Sequence, residues 1–403
     1  MSTSTGGRAM RVCFDHEPHL MKFYKILLTL PLIGCFLMLS GCGGDPQAKM
    51  AEHMQRGAAY AQEAKYAEAI IEYKNAVQID PSNAKAHFGL AAAILEQGNT
   101  NNFGQAFRSL QRSVQLAPDC MDAHLKLGEL YLVGGDFKRA QEQAQRVLES
   151  DANQIDALYL LGAAYVGQRD PDQAIPALQA ALKRDPKLLK AYTTLATAYI
   201  MQNDAARGEQ MYQQALDIDG QAIDVHRALA LLYTLQRRFD AAAAQYRQAI
   251  AVEPTQTGLY VNLAQLYIKQ RKLDEAEAIL QEAQRKRPDH ANPYLALGDF
   301  YLTTQRLEKA QKSYERARDV SPEELLSKQK LAALYLQQEK LDAAGSYIEA
   351  IIQKHPEAAS GYLLRGHLAL AKRELPAAIE AFQRATIVDA KLAPAQYYLA
   401  RLS

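Results

Sequence analysis

The chain has 403 residues, a formal net charge of +1, 48% hydrophobic residues and no tryptophan. Balanced charge excludes the broad electrostatic footprint of a nucleic-acid binder. Four cysteines, three of them within the first 42 positions, exclude a disulfide framework and leave Cys120 as a small packed thiol at a repeat boundary.

Residues 1–20 (MSTSTGGRAMRVCFDHEPHL) fit no part of a targeting signal and are expected to be an upstream extension before a true start at Met21. Residues 21–42 read MKFYKILLTLPLIGCFLMLSGC. Lys22 and Lys25 form a basic head, and 26–39 is an apolar stretch shorter than the about 20 residues that span a bilayer. It ends in Leu39-Ser40-Gly41-Cys42. Two small residues before a cysteine, after such a stretch, resemble the lipobox of bacterial lipoproteins. That resemblance implies removal of 21–41 as a signal peptide, with cleavage between Gly41 and Cys42. It also implies palmitate-type acylation of Cys42, which makes the lipid bilayer a partner. At about 0.8 kcal/mol per buried CH2, one chain binds marginally, and two or three hold stably. Leu32-Ile33-Gly34-Cys35 also fits a lipobox, but cleavage there leaves an apolar mature end, Phe36-Leu37-Met38-Leu39. An uncleaved anchor helix is the alternative. Residues 42–49 read as a flexible tether. Gly43 and Gly44 lack the immediate Asp that resembles an inner-membrane retention signal, so a periplasm-facing lipoprotein of the outer membrane is favoured over the inner.

From Met50 the chain repeats. The cleanest copy starts at Ala291, where Tyr294, Leu297, Gly298 and Tyr301 recur at i, i+3, i+4 and i+7, one face of a helix. A break follows, then a second stripe through Leu307, Ala310, Tyr314 and Ala317, stopped by Pro322. Two such short helices cannot bury their apolar stripes alone and need copies on either side. Ten copies start at Met50, Ala84, Met121, Ile155, Leu189, Ile223, Thr257, Ala291, Leu325 and Ala359. Counted from those starts, position 8 is Gly or Ala in every copy, from Gly57 and Ala91 to Ala332 and Gly366, and so is position 20, from Ala69 to Ala378. Small side chains at fixed positions permit helices to approach to about 8–10 Å. Position 7 is Leu in eight copies, position 11 is Tyr in eight, and Pro closes seven. The second copy is three residues longer, at 98–102, and Pro176 is expected to bend the second helix of the fourth. Residues 393–403 form one further helix, expected to cap the tenth repeat.

This 34-residue helix–turn–helix pattern resembles the tetratricopeptide repeat family over about 50–392. The resemblance implies an all-α fold, a right-handed α-solenoid superhelix of about ten units. The family favours Trp at position 4, where this chain has His53, His87, His124, Tyr260 and Tyr294 among others. The three successive histidines sit about 8–10 Å apart on neighbouring helices, too far for zinc ligation near 2.1 Å. They are read as occupants of the aromatic slot. Gly134-Gly135-Asp136-Phe137 looks superficially like a cyclase signature, but its register places it in the turn between two helices. No phosphate loop, nucleophile elbow, HExxH or CxxC pair occurs, so the chain is read as non-enzymatic, with no cofactor and no metal.

In the family, positions 2, 5, 9, 12 and 13 usually line the concave face. Here that implies an aliphatic track through Phe88, Leu95, Leu125, Leu132, Tyr159, Val166, Ile200, Ile268, Leu295, Leu302 and Leu336, interrupted by Arg227. Such a track is either core or a groove for an extended or helical segment of another protein. The Lys and Asn pattern of chaperone-tail binders is absent. A lipobox followed at once by these repeats resembles lipoproteins associated with exopolysaccharide export and the PEP-CTERM sorting system. The expected function is a scaffold for other envelope proteins, with no nucleic-acid partner. A pilotin-like lipoprotein for a type IV pilus secretin and an accessory subunit of an envelope enzyme are the alternatives.

Overall fold

The computed structural model describes residues 45–99 and 102–402. They form 21 α-helices, with no strand among the described residues. The chain divides after Ile218 into two compact units. In the first, five hairpins pair α1 (Pro46–Gln62) with α2 (Tyr66–Ile79), α3 (Ala84–Gln97) with α4 (Phe103–Leu116), α5 (Met121–Val133) with α6 (Phe137–Ser150), α7 (Ile155–Gly167) with α8 (Pro171–Arg184), and α9 (Leu189–Met201) with α10 (Ala205–Ile218). In the second, α11 (Ile223–Leu235) pairs with α12 (Phe239–Val252), α13 (Thr257–Lys269) with α14 (Leu273–Lys286), α15 (Ala291–Thr303) with α16 (Leu307–Val320), α17 (Leu325–Gln337) with α18 (Leu341–Lys354), and α19 (Ala359–Ala371) with α20 (Leu375–Val388). A single helix, α21 (Ala393–Leu402), follows. Within each unit every helix packs on its neighbours in sequence, the repeating two-layer arrangement of an all-α solenoid.

Local chemistry sets the element ends. Asp136, Asp170 and Asp204 cap second helices by accepting from the backbone N–H three residues on, at 3.2, 3.2 and 2.9 Å. Between copies, Asp80, Asp151, Asp185, Asp219 and Asp389 close Asx turns on the N–H two residues ahead, at 2.9–3.0 Å. The Ser82 hydroxyl and N–H bonds hold the Asp80 carboxyl below its usual range. Every hairpin turn contains one residue in the left-handed region, always at position 15. Only Gly98 (φ 71°) and Gly135 (φ 77°) are glycines; Ala64, Arg169, Asn203, Arg237, Arg271, Gln305, Glu339 and Arg373 adopt φ of 56–65°. For residues with a Cβ this conformation costs about 1–2 kcal/mol.

In nine of the ten hairpins a large side chain at position 24 accompanies a small one at position 8; in the third, position 24 is Ala144 and Leu160 of the next copy lies against Gly128. A Cβ on Gly298 would lie 2.3 Å from the Tyr314 ring, one on Gly366 2.3 Å from Phe382, and one on Gly162 2.5 Å from Leu178. The partners all stand at position 24, and Tyr314, Phe382 and Leu178 are fully buried. Small position 8 and bulky position 24 are therefore one feature, and the glycines are required by close approach.

Two expectations change. The segment read as a tether is helical from Pro46, because proline is suited to the first helical position and Asp45 accepts from Gln47 N–H at 3.0 Å. Cys120 is disulfide-bonded rather than a lone thiol. Pro176 lies inside α8, as its position implies, and the helix keeps 14 residues, the length of α2 and of α4. The carbonyl that loses its partner belongs to Asp172, which is exposed to solvent. The 1–20 extension, the signal at 21–41, Cys13, Cys35, Gly41 and Cys42 lie outside the described residues. Among the described residues no helix is long and apolar enough to cross a membrane.

Candidate protein-docking surface

The seams between copies are closed by two recurrent polar contacts. At position 4, the Nε2 atoms of His87, His124 and His226 lie 3.0, 3.0 and 3.1 Å from the carbonyls of Pro81, Pro118 and Gly220. Tyr192, Tyr260 and Tyr294 donate their hydroxyls to the carbonyls of Pro186, Pro254 and Pro288 at 3.2, 2.9 and 3.0 Å. Each side chain thus reaches back six residues to satisfy the turn that ends the preceding copy. Imidazole Nε2–H and phenol O–H lie at similar reach from the backbone, so His and Tyr interchange here. His53, where no copy precedes it, instead bonds Glu72 at 2.6 Å. Among the described residues no cluster of His, Cys, Asp and Glu could hold a metal.

At position 11, tyrosine hydroxyls are met from the second helix of the preceding copy. Gln179 donates to Tyr199 at 3.0 Å and Arg247 to Tyr267 at 3.0 Å, while Tyr301 donates to Glu277 at 2.7 Å and Tyr335 to Glu315 at 3.3 Å. Glu277 is the most heavily used of these groups. Burial alone would raise its carboxyl, but bonds from Tyr301, Lys309 and Arg306 outweigh burial and hold it below the usual carboxylate range. Gly134-Gly135-Asp136-Phe137 lies in the turn between α5 and α6, with Gly135 at positive φ and Asp136 capping α6.

The first helices carry the sequence-derived track. Leu295 is buried; Phe88, Leu95, Leu125, Leu132, Tyr159, Val166, Ile200, Ile268, Leu302 and Leu336 are half-buried; Arg227 is exposed and pairs with Asp224 at 2.9 Å. Phe88, Leu95, Leu125 and Leu132 are brought together against one core cluster of the first unit, and Tyr159 and Val166 against another. Ile200 covers Gly208 of its own hairpin, where a Cβ would come within 2.7 Å. Positions 5 and 12 therefore form the flank of the core. The most exposed apolar side chains of the first helices are different ones: Val133 and Leu235 at position 13, 78% and 68% exposed, and Leu231 at position 9, 56% exposed. Positions 9 and 13 were available to the sequence as lining positions, but only their neighbours at 5 and 12 stand out as an unbroken apolar row.

Charge is placed on the same surface. Lys190 reaches Asp156 at 3.0 Å and lies 4.3 Å over the Tyr159 ring. Asp299 accepts from Tyr314 at 2.6 Å and from Lys330 at 2.7 Å. Burial first, and Asp299 second, push the Tyr314 hydroxyl well above the ordinary phenol range. It is a permanent donor, so the cluster is structural rather than acid–base machinery. In each unit the first helices set apolar groups beside ion pairs.

The comparisons agree with this geometry. The Tetratricopeptide repeat profile matches residues 100–164, 165–232, 233–292 and 272–334; a second Tetratricopeptide repeat profile matches 330–396 and a TPR repeat profile 57–98. No curated protein matches the chain. Solved structures similar to it include MamA from Desulfovibrio magneticus (18% identity, 43% of this chain and 97% of that one, TM-score 0.39). A thermophilic TPR protein of Thermus thermophilus is also similar (21%, 46% and 100%, TM-score 0.41), as is a tetratricopeptide repeat protein of Parabacteroides merdae (20%, 62% and 98%, TM-score 0.40). With hairpins in register from α1 to α20 and family profiles over most of that span, the chain belongs to the tetratricopeptide repeat family.

Proposed function

We propose that this protein is a non-catalytic scaffold tethered to a bacterial envelope membrane through acylated Cys42, which gathers components of an exopolysaccharide-export or protein-sorting assembly. Tetratricopeptide repeats are protein–protein interaction scaffolds, and that much is general to the family. The observation that carries the reading here is that the seams use their polar groups internally, while the first helices leave Val133, Leu231 and Leu235 open to solvent between half-buried leucines. Exposed apolar side chains beside internally bonded seams are what a helical or extended segment of a partner would cover.

Two measurements test it. Cys42→Ala abolishes incorporation of labelled fatty acid and releases the protein from membranes; undiminished labelling would be fatal to the anchor. Leu132→Asp with Leu302→Asp abolishes cross-linking to envelope proteins while far-ultraviolet circular dichroism is retained. If helical signal and capture collapse together, the track is core, and recognition must lie with positions 9 and 13. Absence of any secretion or polysaccharide-assembly component among cross-linked partners removes the pathway assignment but leaves the scaffold.

A further inference from the structure

The hairpin turns, positions 13–16 of each copy, differ in charge between the two units. In the first unit they carry Glu63, Glu96, Asp136, Asp170 and Asp204 against Lys65 and Arg169. In the second, the adjacent turns between α11 and α12 and between α13 and α14 carry Arg237, Arg238, Lys269, Arg271 and Lys272, with no acid among them. Arg237, Lys269, Arg271 and Lys272 are exposed and enter no ion pair among the described residues, although the array pairs its charges freely elsewhere. The next acids along the chain, Asp240, Asp274 and Glu275, sit in the first turns of α12 and α14, where the helix N-terminus stabilises them. Arg237 and Arg271 occupy the left-handed positions at the turn tips, φ 60° and 61°. That geometry would be relaxed by glycine, yet the cation is kept. Leu235, 68% exposed, precedes Arg237 by two residues, and Leu231, 56% exposed, lies one helical turn further back.

We infer that this basic edge, with Leu235 at its margin, docks on an anionic phospholipid surface, a membrane contact separate from the acyl anchor. A row of unpaired cations on successive turns, each about 10 Å from the next, matches a plane of phosphates. A leucine beside the row can enter the headgroup layer, where apolar burial adds to the charge attraction. An acidic protein segment would match the charge as well. It would be expected to lie in a concavity, however, and these side chains project from turn tips. The inference does not depend on the acylation of Cys42.

The test uses the chain from residue 42 onward with Cys42→Ser, so that neither an acyl chain nor the apolar stretch at 26–39 contributes. Partitioning is measured onto vesicles of phosphatidylcholine alone and of phosphatidylcholine with phosphatidylglycerol in a three-to-one mixture. The protein is expected to partition onto the anionic vesicles only, and to come off as salt is raised. Each cation removed weakens vesicle partitioning by about fivefold, so Arg237→Gln, Lys269→Gln, Arg271→Gln and Lys272→Gln together should lower it on the order of several hundredfold, with the melting curve unchanged. Arg169→Gln, on a turn of the first unit, should leave partitioning as it was. Equal binding to both vesicle types, or a quadruple variant that still partitions, overturns the inference. So does capture of an acidic protein segment by this edge without vesicle binding.

Discussion

Gly298→Ala tests the packing logic of the whole array in one methyl group. The new Cβ would lie 2.3 Å from Cε1, 2.5 Å from Cδ1 and 2.9 Å from Cζ of Tyr314, whose ring is fully buried. The ring cannot slide away freely, because its hydroxyl donates to Asp299 at 2.6 Å. Overpacking costs about 1–3 kcal/mol, and losing a hydrogen bond to a charged group about 1.5–3 kcal/mol. The lower end of the latter applies, since Asp299 is 48% exposed. Alanine returns about 1 kcal/mol of helix propensity. The balance is a destabilisation of about 2 kcal/mol, read as a lowered urea midpoint by circular dichroism and as faster amide exchange in α15 and α16. In a Tyr314→Phe background the ring is released from Asp299, and the cost of the added methyl should shrink by about 1.5 kcal/mol, a coupling that a double-mutant cycle reads directly. Gly258→Ala, where a Cβ meets nothing within 4 Å, is the control and should cause no loss. If Gly298→Ala is as stable as the parent in both backgrounds, size matching between positions 8 and 24 does not organise the core.

The hairpin turns offer the opposite sign. Gln305→Gly and Glu339→Gly should each raise stability by about 1 kcal/mol, while Gly135→Ala should lower it by about as much. A destabilised Gln305→Gly in thermal melts would contradict the strain argument. At the C-terminal end, burial holds the His367 imidazole below its ordinary value. Its ring lies 4.7 Å from Tyr398 of α21 and 5.6 Å from Phe382. The folded state therefore favours the neutral ring. That contribution is complete above the unfolded value of 6.5 and fades as pH falls through the lower folded value. Exchange protection of α21 should drop as pH falls from 6.5 toward the lower folded value, and His367→Gln should flatten the dependence; an equal acid loss in the variant assigns the effect elsewhere.

The register of the array was legible because it is local. Gly or Ala at positions 8 and 20 and Pro at the copy ends fix a phase, and nine first helices begin where the phase puts them, from Ala84 to Ala359. The remaining features need two copies at once. Position 4 reads as a slot for rings, yet the use of that ring, a bond to the preceding turn, depends on a carbonyl whose direction only the folded turn sets. The counterpart of Gly298 is Tyr314, and nothing in the spacing of position 24 marks it, because it is Tyr, Leu, Ile, Phe or Ala in different copies. The docking surface was half legible. An apolar row at positions 5 and 12 is visible in sequence, but a row of leucines looks alike whether neighbouring helices cover it or solvent does. Exposure instead singles out Val133, Leu231 and Leu235. The start of α1 at Pro46 was hidden because glycines just before it suggest a loop, while the Asp45 cap and the proline decide otherwise.

The backward-reaching bonds at position 4 carry a consequence for how such a chain can change length. Six seams, from His87 to Tyr294, are satisfied by one group from the copy before and one from the copy after, at fixed register: Tyr260 to Pro254, Tyr294 to Pro288. Duplication or excision of a whole copy creates a new junction between groups of the same kinds, so no buried donor or acceptor is orphaned. Loss of half a copy strands both. Gene variants should therefore differ by whole hairpins, added or removed without redesign of the junction.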